Sequence, residues 1–342
     1  MPVQTTTGSF SVEYQSYFIK RLLKYQMMTL RLNEYGVTGE LPKNEGAVQV
    51  SFFRPGAADA TQVQNLTEGV PISISRTLTL TRINVPLKQF GEMVQLSDIL
   101  TDTQFFDATK QGTKTLGEDA GYKADTVTRN VLVTSDYTGT SGATSGITER
   151  YVQGLGTFSA ISSAATTAAY TDAQDVLDAV TALKSNLAPV PDGGYVGIFP
   201  PQVIRDIMRD ADFLRAAEYS NVQALYKGEV GSLYGLRIVE ATNAFREANS
   251  AQYIDTSAAT TGGVTNTTAG PIYSCLIIGG DSFGICPISG DSLTAPRMII
   301  LDQPDKLDPL NQLKVIGYKQ FYMSSLLNSN FVINLRTKSR FS

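Results

Sequence analysis

Between residues 46 and 88, two runs of alternating apolar and polar residues flank a long polar interruption. In the first run Val48, Val50 and Phe52 alternate with Gln49 and Ser51; the second extends from Ile72 to Leu87. Period-two alternation marks a strand with one buried face. The pair therefore predicts a long hairpin whose wide tip is the stretch RPGAADATQVQNLTEG, ending at Gly69. At strand rise each arm reaches roughly 30–50 Å. Thr, Ser and Arg are mixed with the aliphatic residues, so the ribbon builds no core of its own. A two-stranded ribbon is marginal in water, so this one needs another surface to lie on. In the second run the apolar residues first occupy even positions (Ile72, Ile74, Leu78, Leu80) and then odd ones (Ile83, Val85, Leu87). A one-residue change of phase flips the face of a strand, which predicts a β-bulge or twist near Thr81–Arg82. Gly91 follows the ribbon and is the expected hinge.

The rest of the chain reads as α+β. Residues 1–13 are small and polar, an arm. Tyr14, Phe18, Leu22 and Tyr25 then recur at helical spacing between Val12 and Leu32, predicting an amphipathic helix that lies across a neighbouring subunit. Ser97–Asp102 reads as a short helix or turn. A helix of ~40 Å follows from about Phe105 to Val133, with Leu116, Ala120, Ala124, Val127 and Val131 along one face. Gly112, Gly117 and Gly121 cost it roughly 1 kcal/mol each, a loss that close packing against a sheet would explain. Residues 134–170 read as an exposed loop, with short strands around Tyr151–Phe158. Helices are expected at Thr171–Leu187 and from Pro200 onward, and strands at Tyr195–Phe199, Tyr234–Glu240, Ser274–Ile278, Met298–Leu301, Leu313–Tyr322 and Phe331–Leu335. Two packed lobes result, one from the central third, the other from the long helix with the C-terminal strands.

Composition removes most chemistry. The chain has no histidine, which excludes Ser-His-Asp and Cys-His arrangements and histidine-based zinc and iron sites. Asp302, Asp305 and Asp308 cluster in a Pro-rich loop with Lys306, where turn chemistry accounts for them. The glycine-rich stretch from Gly228 lacks the Lys-Ser/Thr of a phosphate-binding loop. No enzyme activity and no cofactor are expected, although a carbohydrate-active enzyme using those aspartates is the remote alternative. Net charge is −4 from 28 basic and 32 acidic residues. A nucleic-acid reader shows a basic surplus, so DNA contact would be weak and unspecific. Cys275 and Cys286 sit among apolar neighbours and read as buried thiols. No signal-peptide layout and no apolar run of ~18 residues is present, so no membrane partner is expected and synthesis is assigned to the cytoplasm.

Four stretches carry a family resemblance: LTEG at Leu66–Gly69, QFGEMVQLSD from Gln89, GEVGSLYGLRIVEATNA from Gly228, and DPLNQLKVIGYK from Asp308. In this order they resemble the major capsid proteins of tailed phages, specifically the coliphage N4-like family. Phe199–Pro200 stands where the family has His-Pro. The resemblance implies the tailed-phage major capsid fold: an N-terminal arm (1–45), an extended hairpin or E-loop (46–90), a peripheral domain (91–170 and 300–342) with spine helix 105–133, and an axial domain (171–299). It implies a virion protein that self-assembles into hexamers and pentamers of an icosahedral shell around double-stranded DNA. Scaffold, portal and decoration proteins are its implied partners. On the hairpin, Glu68, Arg76, Arg82 and Lys88 are the candidate inter-subunit charges, although one exposed pair is worth only ~0–1 kcal/mol. The alternative is another virion component such as a tail or decoration protein; a tail tube would be mostly β, without so long a helix.

Overall fold

The computed structural model describes residues 32–39, 49–56, 79–103, 107–134, 146–157, 169–191, 193–211, 231–247, 271–285, 296–301 and 312–341, with a few isolated positions outside these ranges, Leu22 and Lys24 among them. In chain order the strands begin with β1 (Val37–Thr38), the hairpin pair β2 (Gln49–Pro55) and β3 (Leu80–Pro86), and β4 (Lys88–Ser97). Helices α1 (Asp98–Thr103) and α2 (Ala108–Thr134) follow, then β5 (Thr148–Tyr151), α3 (Ala173–Ser185), β6 (Tyr195–Phe199) and α4 (Pro201–Met208). The strands described after α4 are β7 (Ser232–Leu233), β8 (Leu236–Glu240), β9 (Phe245–Glu247), β10 (Ile272–Ile278), β11 (Phe283–Ile285), β12 (Arg297–Leu301), β13 (Leu313–Tyr322), β14 (Ser324–Leu326) and β15 (Val332–Thr337).

Helix α2 serves two sheets. Its 27 residues open amphipathic, and Leu116 and Ala120 pack with Leu96, Met298, Ile316 and Tyr318 of the three-stranded sheet β12-β13-β4. From Ala124 to Thr134 every residue is buried. There Leu132 and Val133 lie with Val196, Ile198, Leu276, Ile278 and Val332 of the seven-stranded sheet. Buried hydroxyls on this half bond back along the helix, Thr128 Oγ1 to the Ala124 carbonyl (3.2 Å) and Thr134 Oγ1 to that of Asn130 (2.8 Å), so they add no unpaired polar group to the core. Gly112 is not forced by crowding: a Cβ there would meet Ile316 Cδ1 at an ordinary 3.7 Å.

The seven-stranded sheet runs β5-β15-β10-β6-β8-β7, with β9 beside β10. Strands β6 and β10 are buried on both faces, in keeping with their largely apolar sequences, Ser274 of β10 being a buried polar exception. Helices α3 and α4 cover one side of the sheet, with Val176, Val180, Leu183, Val203 and Ile207 in its core. Asp172 caps α3 by accepting from Asp175 N at 2.9 Å, and Asp175 answers by accepting from Asp172 N, completing a capping box.

Three sequence expectations shift. The C-terminal strand does not stay beside the long helix's sheet: β13 pairs with β4 over ten positions, whereas β15 pairs with β10 (Ile333 opposite Ile277). Strand β14 and the Asn328-capped turn Ser329–Phe331 carry the chain across, and β15 is buried throughout, as an inner strand must be. The short strand expected at Tyr151–Phe158 lies earlier, as β5, because Ile147 and Val152 are the residues that reach the core. The N-terminal segment packs on its own subunit where it is described. Leu22 is fully buried with Leu116 and Tyr318, Leu32 N donates to Asp125 Oδ1 (2.8 Å), and β1 pairs with β11. Cys275 is buried in β10, which pushes its thiol far above the ordinary range; Cys286 and the aspartates 302, 305 and 308 lie outside the described residues. Among the described residues no helix is long and apolar enough to cross a membrane.

Candidate assembly surface

The predicted hairpin pairs as expected at its root, with Val50 opposite Val85 and Phe53 opposite Arg82. The predicted bulge is absent. Pairing runs without a slip from Gln49–Pro86 to Pro55–Leu80, straight through Thr81 and Arg82. The strand keeps its phase and the sequence pattern changes around it. Ile83 and Val85 face inward, and Leu80 remains on the even-numbered outer face, 63 % exposed.

The two faces of the root differ in what they meet. On the inner face Val50, Phe52 and Val85 are buried against Val37, Met323 and Leu327. The Phe52 ring fills the space where Gly39 and Gly284 would carry a Cβ, and Arg54 Nη1 donates to the Leu327 carbonyl (3.1 Å). The ribbon is thus anchored to its own subunit, which corrects the expectation that it finds support only elsewhere. The outer face carries Leu80 and Phe53, the latter 60 % exposed, diagonal neighbours across the ladder. Beside them Arg82 Nε and Nη2 donate to Ser51 Oγ (3.0 and 2.8 Å), and Ser51 Oγ donates to Asn84 Oδ1 (2.9 Å).

Of the four candidate inter-subunit charges, Arg82 is therefore already engaged within its own hairpin. Glu68 is exposed beside Gly69, which adopts φ +80°. Lys88 is exposed at the start of β4, opposite Tyr322. Arg76 lies outside the described residues. Gly91 is not in a connecting bend: it sits inside β4 opposite Lys319, and a Cβ there would stand 2.8 Å from the Tyr318 carbonyl oxygen. Close approach of two strands is what this position requires of glycine.

A second exposed apolar face was not anticipated. The sheet β12-β13-β4 packs one side on α2, and the other carries Met93, Ile299, Leu301 and Leu313, all exposed. Ile299 and Met93 flank Gly317, and Leu301 sits beside Val315. A half-buried antiparallel sheet ordinarily turns polar residues outward, and a contiguous apolar patch marks a contact surface. The available signal was Met298–Leu301, apolar at every position yet on an edge strand.

Across the edge of β4 from that patch lies a cleft of about 380 Å³ between the strand and α2. Asp119, Tyr122, Lys123 and Thr126 face it from successive turns of α2, with Phe90, Glu92 and Tyr318 from the sheet. Partial burial raises the Glu92 carboxyl above its ordinary range, and the charge of Asp119 adds to the effect. Asp119 is raised by burial and then by Glu118. Burial, reinforced by both carboxylates, pushes the Tyr318 phenol far up.

No family model matches the sequence, and no curated protein matches it. Solved structures do. The chain of the cyanophage Pam1 capsid asymmetric unit superposes with a TM-score of 0.62 at 15 % identity, covering 93 % of this chain and 93 % of that one. The capsid of Ralstonia phage GP4 gives 0.61 at 13 % identity over 91 % and 92 %. The capsid of cyanophage P-SCSP1u gives 0.59 at 14 % over 90 % and 88 %. The chain has the tailed-phage capsid fold.

Proposed function

We propose that this chain is the major capsid protein of a tailed bacterial virus, a structural subunit without enzyme activity. Copies of it close into hexamers and pentamers of an icosahedral head. The observation that carries the reading is the end-to-end match to chains of assembled phage capsids, 93 % of each chain in the Pam1 case. Two exposed apolar faces on one subunit, the outer side of the hairpin root and the outer side of β12-β13-β4, supply the physics. Different patches meeting between copies make a heterologous contact, the kind that closes rings. The hairpin's outer face lies on a neighbour, with Glu68, Arg76, Arg82 and Lys88 as the proposed cross-copy charges. The bending that lets one chain serve five- and six-fold rings is placed in β4 around Gly91, where the strand lacks a side chain. The N4-like group is the proposed home within the fold. Two of the stretches that support this contribute paired strands, Gln89–Ser97 on β4 and Leu313–Lys319 on β13. Scaffold, portal and decoration proteins are proposed partners. Packaged DNA touches the mildly acidic wall only weakly, and the protein is made in the host cytoplasm and ends in the virion.

Expression of the chain alone, followed by size-exclusion chromatography and negative-stain microscopy, tests this. Closed shells or free pentamers and hexamers are the expected products. Monomers at every concentration, or open tubes only, would overturn it.

A further inference from the structure

The cleft between β4 and α2 contains an electrostatic imbalance that the described residues do not resolve. Glu92 and Asp119 form no ion pair with a described cation. Lys123, the one basic residue among the described residues that line the cleft, lies across the Phe90 ring with Nζ 5.7 Å from its centre. Tyr318 is 5 % exposed and lines the same space, and among the described residues its hydroxyl makes no hydrogen bond. The two carboxylates are drawn only partly out of water and stay exposed, and the Tyr318 side chain, itself buried, lines the same cleft with no described partner for its hydroxyl, so all three oxygen acceptors share one space. One ligand chemistry suits all three. A guanidinium presents five N–H donors in a planar fork and an ammonium three, and either can donate to two carboxylates and a phenol oxygen at once. A nucleic acid would be repelled. Among the described residues no group of three or more His, Cys, Asp or Glu gathers that could hold a metal ion.

We propose that this cleft is a socket for an arginine or lysine side chain of a second copy of the chain, which bridges Glu92 and Asp119 and accepts the Tyr318 hydroxyl as a further partner. The inference deepens the shell reading and rests on it. Continuity favours a second copy. Glu92 and Met93 are consecutive residues of β4, an edge strand, and point to opposite faces. A neighbouring segment that crosses this edge covers the exposed apolar face through Met93 and reaches the cleft through Glu92. The socket thereby joins the patch already expected to be covered.

The test is the double variant Glu92→Gln with Asp119→Asn, near-isosteric and uncharged. Neutralising a pair with no ion-pair partner among the described residues should leave the free subunit's thermal midpoint unchanged or raise it. The same change should raise the concentration at which assembly begins, by about tenfold or more, because a charge from the neighbour is then buried without a mate. Ethylguanidinium chloride should delay assembly of the unaltered protein more than sodium chloride of equal ionic strength, and this excess should vanish in the variant. Assembly of the variant at the unaltered onset, a midpoint lowered by several degrees, or equal effects of the two salts would each overturn the socket. Failure of the unaltered protein to assemble at all would instead overturn the shell reading.

Discussion

The outer face of the hairpin root gives the sharpest test of the division between folding and assembly. Phe53 and Leu80 are 60 % and 63 % exposed in the subunit. Complete burial of such a side chain is worth ~1.5–3 kcal/mol, so covering the remaining three-fifths is worth about 1–2 kcal/mol each. Replacing both with Ser therefore removes roughly 2–4 kcal/mol from each contact that buries them, a loss of about thirty- to several-hundred-fold in association. The same change touches little inside the subunit. Exposed substitutions stay within about ±0.5 kcal/mol, which for a chain of this size moves the midpoint by only ~1–2 °C. Light scattering against protein concentration reads the first quantity, and calorimetry of the unassembled subunit reads the second. An unchanged scattering onset would refute the claim that this face is covered by a neighbour. A midpoint lowered by more than about 5 °C would show that the two side chains stabilise their own subunit, against the reasoning from exposure.

Phe52→Ala, on the opposite face of the same ribbon, should cost the free subunit ~3–5 kcal/mol in urea unfolding, because its ring fills the space over Gly39 and Gly284. Gly91→Ala should cost ~1–3 kcal/mol and speed amide exchange in β4, since the new methyl would press on the Tyr318 carbonyl. Gly112→Ala should raise stability by up to ~1 kcal/mol, its Cβ meeting only Ile316 at 3.7 Å; a loss would mean the helix is tighter there than its geometry indicates. Asp175 is pushed up to about 7 by burial, which outweighs its hydrogen bonds from Gln153 N and Asp172 N. A carboxyl raised in the folded state holds its proton more tightly there than in the unfolded chain. Its contribution is therefore fully present below about pH 4 and is lost as pH rises towards 7. Urea midpoints for Asp175→Asn should lack that slope, and an identical slope would assign it to other groups.

Local periodicity carried much of this fold. The alternation of Val48, Val50 and Phe52 placed β2, and the stripe from Leu116 to Val131 placed α2, because each pattern is written in consecutive residues. Strand partnership is not written that way. Nothing in the sequence around Val332–Thr337 says that β15 pairs with β10 rather than β13. The change of phase at Leu80 was legible but admitted two causes. The structure shows a different cause: apolar residues stand on both faces of one strand, the inner set buried and Leu80 exposed on the outer side. The cleft left no trace in the sequence, for Glu92 and Asp119 lie on different elements and each alone reads as an ordinary outward charge.

The double engagement of α2 turns its length into a fixed gauge. Ala120 seats against one sheet and Leu132 against the other, so the number of residues between them sets the angle at which the sheets are phased. One inserted residue would rotate the far half by about 100° and carry it ~1.5 Å along the axis, turning Thr and Asn side chains into places shaped for Val and Leu. Lengthening is tolerable only in steps that nearly restore the rotation, about seven or eleven residues. The loops of such a chain can drift in size from one lineage to the next, whereas the span from Leu116 to Val133 is quantised.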